Sequence, residues 1–244
     1  MTATTASVQT PELERLEARE TVYRLSAALF GYPLEETQQA LEDGRLRKAL
    51  APVWQKLTGR PWPTLPASED LTALQVGYTA TFLQGRRKPR VPLVGSGYAD
   101  ILNGQAQGSY LLNVQAFYRH FGLQAAQGDE GHTEEPDHIV AMLEFCTLLC
   151  HLERRALTAG QEPGSLRRAQ RDFIARYLGP LADEIRDAYS REQGQGLDPT
   201  LAYLVAALPD LIADHLEELS ARVGPCPPPG TSDQTATDAS SMWD

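Results

Sequence analysis

The sequence predicts an all-α protein, a single-domain helical bundle with kinked helices, and three observations support this prediction. Apolar residues recur at helical spacing through most of the chain between residues 11 and 223. No stretch alternates apolar and polar residues over the length of a useful strand. Prolines, glycines and capping residues separate the apolar repeats. We therefore expect a flexible N-terminus (1–10), an all-α domain (11–223) and a disordered C-terminal tail (224–244).

The first half of the domain opens with two predicted helices. Thr10 is a suitable N-cap and Pro11 suits the first helical position, so the first helix is expected to run for about 20 residues, up to Gly31. A second apolar stripe with helical period covers residues 46–57. Pro52 lies inside this stripe and predicts a kink or a break.

The middle of the chain is predicted to contain two further helices around an irregular stretch. Ser68 is a suitable cap for a helix that ends at Gly85, and residues 85–98 have no regular pattern. The following helix is expected to stop at Gly122, with Leu123 supplying the hydrophobic contact of a Schellman motif.

The second half is predicted to be helical almost throughout. One helix is expected to begin at Pro136, and Ser165 caps another. Asp198 followed by proline marks the start of the last helix, in which Pro209 predicts a kink.

Composition excludes several classes of function. The chain of 244 residues carries 22 Lys and Arg against 32 Asp and Glu, a formal net charge of -10, which argues against nucleic acid or an anionic membrane as partner. Three cysteines do not form the pattern of a secreted disulfide framework. The longest apolar run, residues 201–208, is far shorter than the roughly 20 residues of a membrane span. We expect a cytoplasmic protein without membrane insertion or export signal.

Ionisable residues are densest between Asp129 and His138, where five carboxylates and two imidazoles occur. Acidic residues in a first helical turn stabilise the helix dipole by about 0.3–1 kcal/mol, which explains the acids before and after Pro136. This explanation does not cover His138, because a cationic imidazole is unfavourable at a helix N-terminus. Both interpretations, an ordinary helix start and a functional segment, therefore stay open.

A metal-dependent enzyme is the alternative hypothesis. Asp137, Glu144 and His151 follow one another at intervals of seven residues, so they would share one helix face with His138 nearby. The Glu-x-x-His pairs of di-iron bundles are missing, and we predict neither a metal nor a cofactor. Residues 95–97 (Gly-Ser-Gly) could approach a phosphate, but no P-loop pattern accompanies them. No catalytic residue is predicted.

Several short motifs in order resemble the TorD/DmsD/NarJ family of cytoplasmic molybdoenzyme maturation chaperones. These motifs are Leu29-Phe30-Gly31-Tyr32-Pro33, Tyr78-Thr79-Ala80-Thr81-Phe82-Leu83, Phe117-Tyr118-Arg119 with Gly122-Leu123, and Glu134-Glu135-Pro136-Asp137-His138 with Leu143-Glu144-Phe145. The familiar form of the last motif is Glu-Pro-x-Asp-His, whereas Pro136 here directly precedes Asp137. This arrangement is more similar to the NarJ-like branch, which serves nitrate reductase and related dehydrogenases.

The resemblance implies a non-enzymatic function. Such a chaperone binds the N-terminus of a molybdoenzyme catalytic subunit, which often carries a twin-arginine signal, and holds the apoenzyme until molybdenum cofactor is inserted. Proteins of molybdenum-cofactor biosynthesis are further candidate partners. The oligomeric state stays open between a monomer and a domain-swapped dimer, because long loops at residues 85–100 and 122–135 allow a terminal helix group to be exchanged. The expected client-binding motif is Glu134, Glu135, Pro136, Asp137, His138 and Glu144, with accessory residues Tyr32, Pro33, Tyr98, Asp214 and Glu217. Arginines pair well with carboxylates, and an apolar stretch needs a groove between helices.

Overall fold

The computed structural model describes residues 3–86, 89–123, 135–192 and 196–228, with side chains in the first helix from Pro11 onward. Every regular element within these ranges is a helix, and one isolated antiparallel bridge joins Val94 to His138. The predicted all-α, single-domain architecture is therefore confirmed.

The helices follow one another with short connections. In chain order they are α1 (Ala3–Phe30), α2 (Glu35–Glu42), α3 (Arg45–Thr58), α4 (Leu71–Tyr78), α5 (Ala99–Leu102), α6 (Gln107–His120), α7 (Ile139–Thr158), α8 (Gly164–Phe173), α9 (Gly179–Glu192) and α10 (Pro199–Val223). The π-helical turns Thr79–Leu83 and Ile174–Leu178 extend α4 and α8, and a 3-10 turn, Gly95–Gly97, precedes α5. None of the helices in the described ranges is both long and apolar enough to cross a bilayer.

Four predicted helix starts are wrong. Helix α7 begins at Ile139 and not at Pro136, and helix α8 begins at Gly164 with Pro163 as its N-cap, so Ser165 lies inside α8 and does not cap it. Helix α1 begins at Ala3, not at Pro11, which lies inside the helix. Helix α4 is capped by Asp70, whose carboxylate accepts the Ala73 N–H at 2.7 Å, and not by Ser68. Ser68 has another role, because its N–H and hydroxyl both donate to the Asp198 carboxylate, at 2.9 and 2.7 Å. The flexibility of residues 1–10 stays a prediction.

Two other helix boundaries agree with the sequence. Asp198 caps α10 by accepting the Thr200 N–H at 2.8 Å, with proline at the first helical position. After α6, the Leu123 N–H donates to the Tyr118 carbonyl at 2.9 Å and Gly122 has a φ of +72°. This is the predicted Schellman motif, in which glycine adopts the left-handed conformation.

The core lies between the long helices. Helix α1 packs along α7 and also against α3, while α10 packs on α8 and α9. Edge-to-face aromatic contacts join α6, α7 and the α8 region, including a ring-centroid distance of 4.7 Å between Phe145 and Phe173 and one of 4.9 Å between Tyr118 and Phe145. These contacts place the end of α6 next to the start of α7.

Ion pairs on α1, α7, α8 and α10 form what we call the ion network. Its members are Glu12, Arg15, Arg19, Glu153, Arg167, Glu218 and Arg222. Arg167 donates to Glu153 at 2.6 Å and to Glu12 at 2.7 Å, so one guanidinium joins three helices. The network therefore joins α1 and α10, which are far apart in sequence, to α7 and α8.

The chain after α10 remains attached to the bundle. The Arg171 guanidinium donates to the carbonyls of Val223 and Gly224 at 3.0 and 2.9 Å. Arg176 donates to the Pro227 carbonyl at 3.3 Å. Residues 224–228 are thus anchored on α8 and its π turn, and the predicted disorder of the rest of the tail lies outside the described residues.

Candidate functional site

Asp137 joins two segments that are distant in sequence. Its side chain is fully buried, and its Oδ2 accepts the Ser96 N–H at 2.6 Å. Its backbone carbonyl accepts the Gly95 N–H at 3.0 Å, and the Ile139 N–H donates to the Leu93 carbonyl at 2.8 Å. We call this contact between residues 93–98 and 135–139 the Asp137 junction.

Gly95 is needed at the junction because Tyr110 lies directly above it. A Cβ at this position would be 2.4 Å from the Tyr110 hydroxyl oxygen, so no larger residue fits without a shift. The Gly-Ser-Gly turn presents one amide N–H, that of Ser96, to an anionic group. In the structure that anion is the carboxylate of Asp137.

Two buried polar atoms at the junction are unpaired. Neither Asp137 Oδ1 nor the Tyr110 hydroxyl has a hydrogen-bond partner among the described residues. Burial and, second, the charge of Asp137 raise the pKa of Tyr110, which indicates that the two groups are close. An unpaired buried polar group costs about 1–3 kcal/mol, so the junction is incompletely satisfied.

Tyr118 fixes the segment before Asp137. Its hydroxyl donates to the Pro136 carbonyl at 2.6 Å, and Pro136 is buried. The polar contacts of the Tyr110 and Tyr118 hydroxyl groups were not predicted from the sequence. The pattern of two tyrosines on one helix was the available signal, since buried tyrosine hydroxyls usually have polar neighbours.

His138 is the N-cap of α7, which begins at Ile139 and not at Pro136 as predicted. Its Nδ1 accepts the Val140 N–H at 3.2 Å, a role that requires an unprotonated nitrogen. Burial lowers the pKa of His138, against the opposing charge of Asp137. The objection to a cation at this helix start is therefore removed, because the imidazole is neutral.

The remaining motif residues occupy different environments. Glu135 is exposed and its backbone carbonyl accepts the His138 N–H at 3.0 Å. Glu144 is exposed on α7. Glu134 lies outside the described residues. The carboxylates of Glu135 and Glu144 are thus at the surface, whereas the carboxylate of Asp137 is not.

The accessory residues do not form one site with the junction. Tyr98 belongs to it, because its hydroxyl donates to the Pro92 carbonyl at 2.8 Å and holds the loop before α5. Tyr32 is half exposed and packs edge-on against Tyr78, with ring centroids 5.6 Å apart, while Pro33 is buried beside it.

Two further predicted acids lie on α10. Asp214 and Glu217 are exposed there. Helix α10 packs on α8 and α9, whereas the junction precedes α7, which packs mainly on α1. A shared role of these acids with the junction stays a prediction.

The geometry removes support from the metal-enzyme alternative. Asp137 precedes α7 and is bonded to Ser96, so it does not share a helix face with Glu144. His151 instead contacts Glu20 at 3.1 Å, beside Arg154. Within the described ranges, no group of three His, Cys, Asp or Glu side chains is arranged to hold a metal ion.

Comparison with known proteins identifies the family. A sequence model described as "Nitrate reductase delta subunit" matches residues 34–187. The chain belongs to this family. It is also 39% identical over 249 residues, covering both chains completely, to the dimethyl sulfide dehydrogenase assembly chaperone protein of Rhodovulum sulfidophilum. The selenate reductase assembly chaperone protein of Thauera selenatis is 31% identical over 193 residues, 76% of this chain and 93% of the relative.

A third relative is the perchlorate reductase assembly chaperone protein of Dechloromonas aromatica. It is 30% identical over 176 residues, 68% of this chain and 76% of the relative. These relatives are named as assembly chaperones and not as catalysts, and the resemblance inferred from the motifs is confirmed. The family match, residues 34–187, includes the Asp137 junction and ends before α10, while the match to the dimethyl sulfide dehydrogenase assembly chaperone protein covers both.

Proposed function

We propose that this protein is an assembly chaperone for the catalytic subunit of a molybdoenzyme and catalyses no reaction itself. The observation that carries the proposal is the 39% identity, over the full length of both chains, to an assembly chaperone of dimethyl sulfide dehydrogenase. The chaperone acts in the cytoplasm, binds the N-terminal region of the client, which carries a twin-arginine signal, and holds the apoenzyme until molybdenum cofactor is inserted. Proteins of cofactor biosynthesis are further proposed partners.

In this proposal the Asp137 junction contacts the client through its surface groups. Glu135, Glu144 and the half-buried His138 offer carboxylates and an imidazole to a bound chain. Asp137 is a positioning residue, because its carboxylate is buried and bonded to Ser96. Its charge keeps the loop at residues 93–98 next to the start of α7, and this arrangement sets the shape of the surface.

Co-purification tests the proposal. The tagged chain is expressed in its native host under conditions that induce molybdoenzymes, and bound proteins are identified by mass spectrometry. We expect one molybdoenzyme catalytic subunit that retains its N-terminus. Asp137→Asn should reduce its recovery, while Asp187→Asn, the same change at an exposed position on α9, should not.

Two results would contradict the proposal. One is the absence of any oxidoreductase subunit from the purified wild-type chain. The other is a catalytic subunit that is retained equally after its N-terminal region is deleted. Replacing the two arginines of the client signal with glutamine tests the twin-arginine component separately.

A further inference from the structure

A pocket opens at the surface between α2, α3, the segment before α4 and the start of α10. Its volume is about 230 Å³, and its wall combines Thr200 on α10 with apolar side chains: Leu41, Leu46, Leu50, Trp62, Leu65 and Ala67. A cavity of roughly 150 Å³ is large enough to hold benzene. The pocket therefore has room for one aromatic side chain.

The segment that forms one wall of the pocket is fixed to two helices. Trp62 is buried, and its ring packs edge-on against Trp54 of α3 and Tyr203 of α10, with ring centroids 5.0 and 4.9 Å apart. The Arg47 guanidinium of α3 donates to the Thr64 hydroxyl at 2.8 Å. These contacts come from the chain itself, so the pocket is preformed and a partner does not have to order it.

Positive charge is concentrated around the pocket, although the chain as a whole is acidic. Residues 44–68 contain no acid and five basic residues, in a chain with a net charge of -10. All five are exposed: Arg45, Arg47, Lys48, Lys56 and Arg60. Arg47 lines the pocket itself, together with Glu42, whose carboxylate accepts the Gln38 side-chain amide at 2.9 Å.

The basic residues around the pocket differ in their partners. Arg45 pairs with Asp43, and Lys56 pairs with Glu14. The contact of Arg47 is instead with a neutral hydroxyl, so its charge is available to an anion at the mouth of the pocket. We call this site, the apolar cavity together with Arg47, the basic pocket. It suits an aromatic side chain that lies next to a carboxylate.

The chain itself contains a segment with this chemistry, outside the described residues. Residues 229–244 have no basic residue and combine acids with large apolar side chains: Asp233, Asp238, Met242, Trp243 and Asp244. Residues 124–134 are also acidic, but they include no Phe, Trp or Tyr and no apolar residue larger than alanine. Charge and apolar character therefore single out residues 229–244 as the complement of the basic pocket.

The segment is long enough to reach the pocket. The chain before it is held on the bundle at Pro227, whose carbonyl accepts from Arg176 at 3.3 Å. Helix α10 runs from Thr200 at the pocket to Val223, a distance of about 35 Å at 1.5 Å per residue. Residues 229–243 can extend over roughly 50 Å, so Trp243 can return along α10 to its start.

We propose that residues 233–244 dock on the basic pocket of the same chain. The Trp243 ring lies in the cavity next to Trp62, and the Asp244 carboxylate lies next to Arg47. This contact goes beyond the proposed function, because it is made in the free protein and requires no client. A tethered segment acts at an effective concentration of roughly 1 mM, so a contact with an intrinsic Kd of about 0.3 mM leaves the ring outside the pocket only about a quarter of the time.

Fluorine NMR of the full chain tests the contact. Labelling with 5-fluorotryptophan gives signals from three tryptophans, and Trp243→Phe identifies the signal of Trp243. A soluble gadolinium chelate broadens the signals of exposed rings. We expect the Trp243 signal to be broadened roughly fourfold less in the full chain than in a labelled synthetic peptide of residues 233–244.

Two matched variants locate the contact. Arg47→Glu should raise the broadening of the Trp243 signal to the level of the peptide, because like charges then meet at the mouth of the pocket. Arg60→Glu is the same change in the same basic segment, at a residue that does not line the pocket, and it should leave the broadening unchanged. Trp243→Ala should shift the Trp62 signal, a measurement that alters no residue of the bundle.

Three outcomes would overturn the proposal. The first is equal broadening of the Trp243 signal in the full chain and in the peptide. The second is protection that Arg47→Glu and Arg60→Glu change equally, with no shift of the Trp62 signal in Trp243→Ala. The third is protection that disappears on dilution as a dimer dissociates, measured by light scattering, because the segment would then bind a second copy of the chain.

Discussion

The ion network and the Asp137 junction are both polar contacts between distant parts of the chain, but they differ in how fully their groups are paired. In the network, Glu218 accepts from both Arg15 and Arg19, and Arg167 donates to two carboxylates. At the junction, Asp137 has one oxygen bonded to Ser96 and one without a partner in the described chain. Fully paired networks rigidify a fold, whereas unpaired buried groups require another explanation.

The difference indicates separate roles for the two regions. The network joins α1, α7, α8 and α10 and so stabilises the bundle as a whole. The junction holds a loop against the start of α7 with a small number of hydrogen bonds. Two of its buried polar atoms, Asp137 Oδ1 and the Tyr110 hydroxyl oxygen, have no hydrogen-bond partner among the described residues. Few bonds and unsatisfied groups are typical of a segment that changes its contacts when a partner binds. The following predictions test this comparison.

Breaking the ion network should have the largest effect on stability. Arg167→Met leaves Glu153, which is 3% exposed, without its guanidinium, and we expect the free energy of unfolding to fall by about 3–5 kcal/mol. Urea denaturation measures this change. Arg186→Met removes ion pairs to the exposed Asp183 and Asp210 and should cost at most about 1 kcal/mol. Similar losses of unfolding free energy in the two variants would contradict the conclusion that the ion network stabilises the bundle more than surface ion pairs do.

Acidification should destabilise the protein mainly through His215, next to the network. Burial, followed by the charges of Arg19, Arg15 and Arg222, lowers the pKa of His215 well below its usual value. The unfolded chain therefore binds a proton below about pH 6.5 that the folded chain does not, so stability falls as pH decreases. The expected slope is about 1.4 kcal/mol per pH unit from this group.

Urea denaturation at several pH values from neutral to mildly acidic measures the slope. His215→Gln should remove most of it. His138→Asn, which keeps a capping side chain at the junction, should remove less, because the charge of Asp137 opposes the lowering of the His138 pKa. If His138→Asn reduced the slope more than His215→Gln, the sensitivity to acid would come mainly from the junction and not from the surroundings of the ion network.

Adding a methyl group at Gly95 should destabilise the protein less than breaking the ion network does. Gly95→Ala places a Cβ against the Tyr110 hydroxyl, and we expect a cost of about 1–3 kcal/mol. Adding Tyr110→Phe should recover part of this loss, as measured by thermal unfolding. The control Gly108→Ala, at a helical glycine with open space, should be neutral or stabilising. Absence of recovery in the double variant would exclude the hydroxyl as the cause.

A matched pair of tyrosine changes should give the smallest effects and separate paired from unpaired hydroxyls. Tyr118→Phe removes the donor to the buried Pro136 carbonyl and should cost about 1 kcal/mol. Tyr110→Phe removes a hydroxyl without a described partner and should change stability by less than about 0.5 kcal/mol. Urea denaturation at neutral pH compares them, and a larger loss in Tyr110→Phe would mean that its hydroxyl is satisfied in solution.

The sequence predicted the helices well where apolar periodicity is long and strong. The stop at Gly122 and the cap at Asp198 were found because each depends on a local backbone conformation or a local side-chain hydrogen bond. Helix α2 was missed because eight residues are too few to display a period. The cap at Asp70 was missed because Ser68 is an equally good capping residue, and only its contact with Asp198 distinguishes the two.

The candidate site was predicted in part. The motif around Asp137 was recognised from its residues, but its placement in the first turn of a helix was wrong, since Ile139 begins the helix and His138 caps it. The partner of Asp137 was not predictable by spacing, because Ser96 lies 41 residues away and contributes a backbone N–H that every non-proline residue carries.

By itself the sequence determined the all-α class, the acidic surface and the family, because apolar period, composition and ordered motifs are properties of the linear chain. Only the tertiary structure decided that Asp137 is buried while Glu135 is exposed, and that Arg167 pairs with carboxylates on both α1 and α7. The physical reason is that burial and pairing depend on contacts between segments far apart in sequence. Local patterns favour a helix, but they do not specify which helix or loop will lie against it.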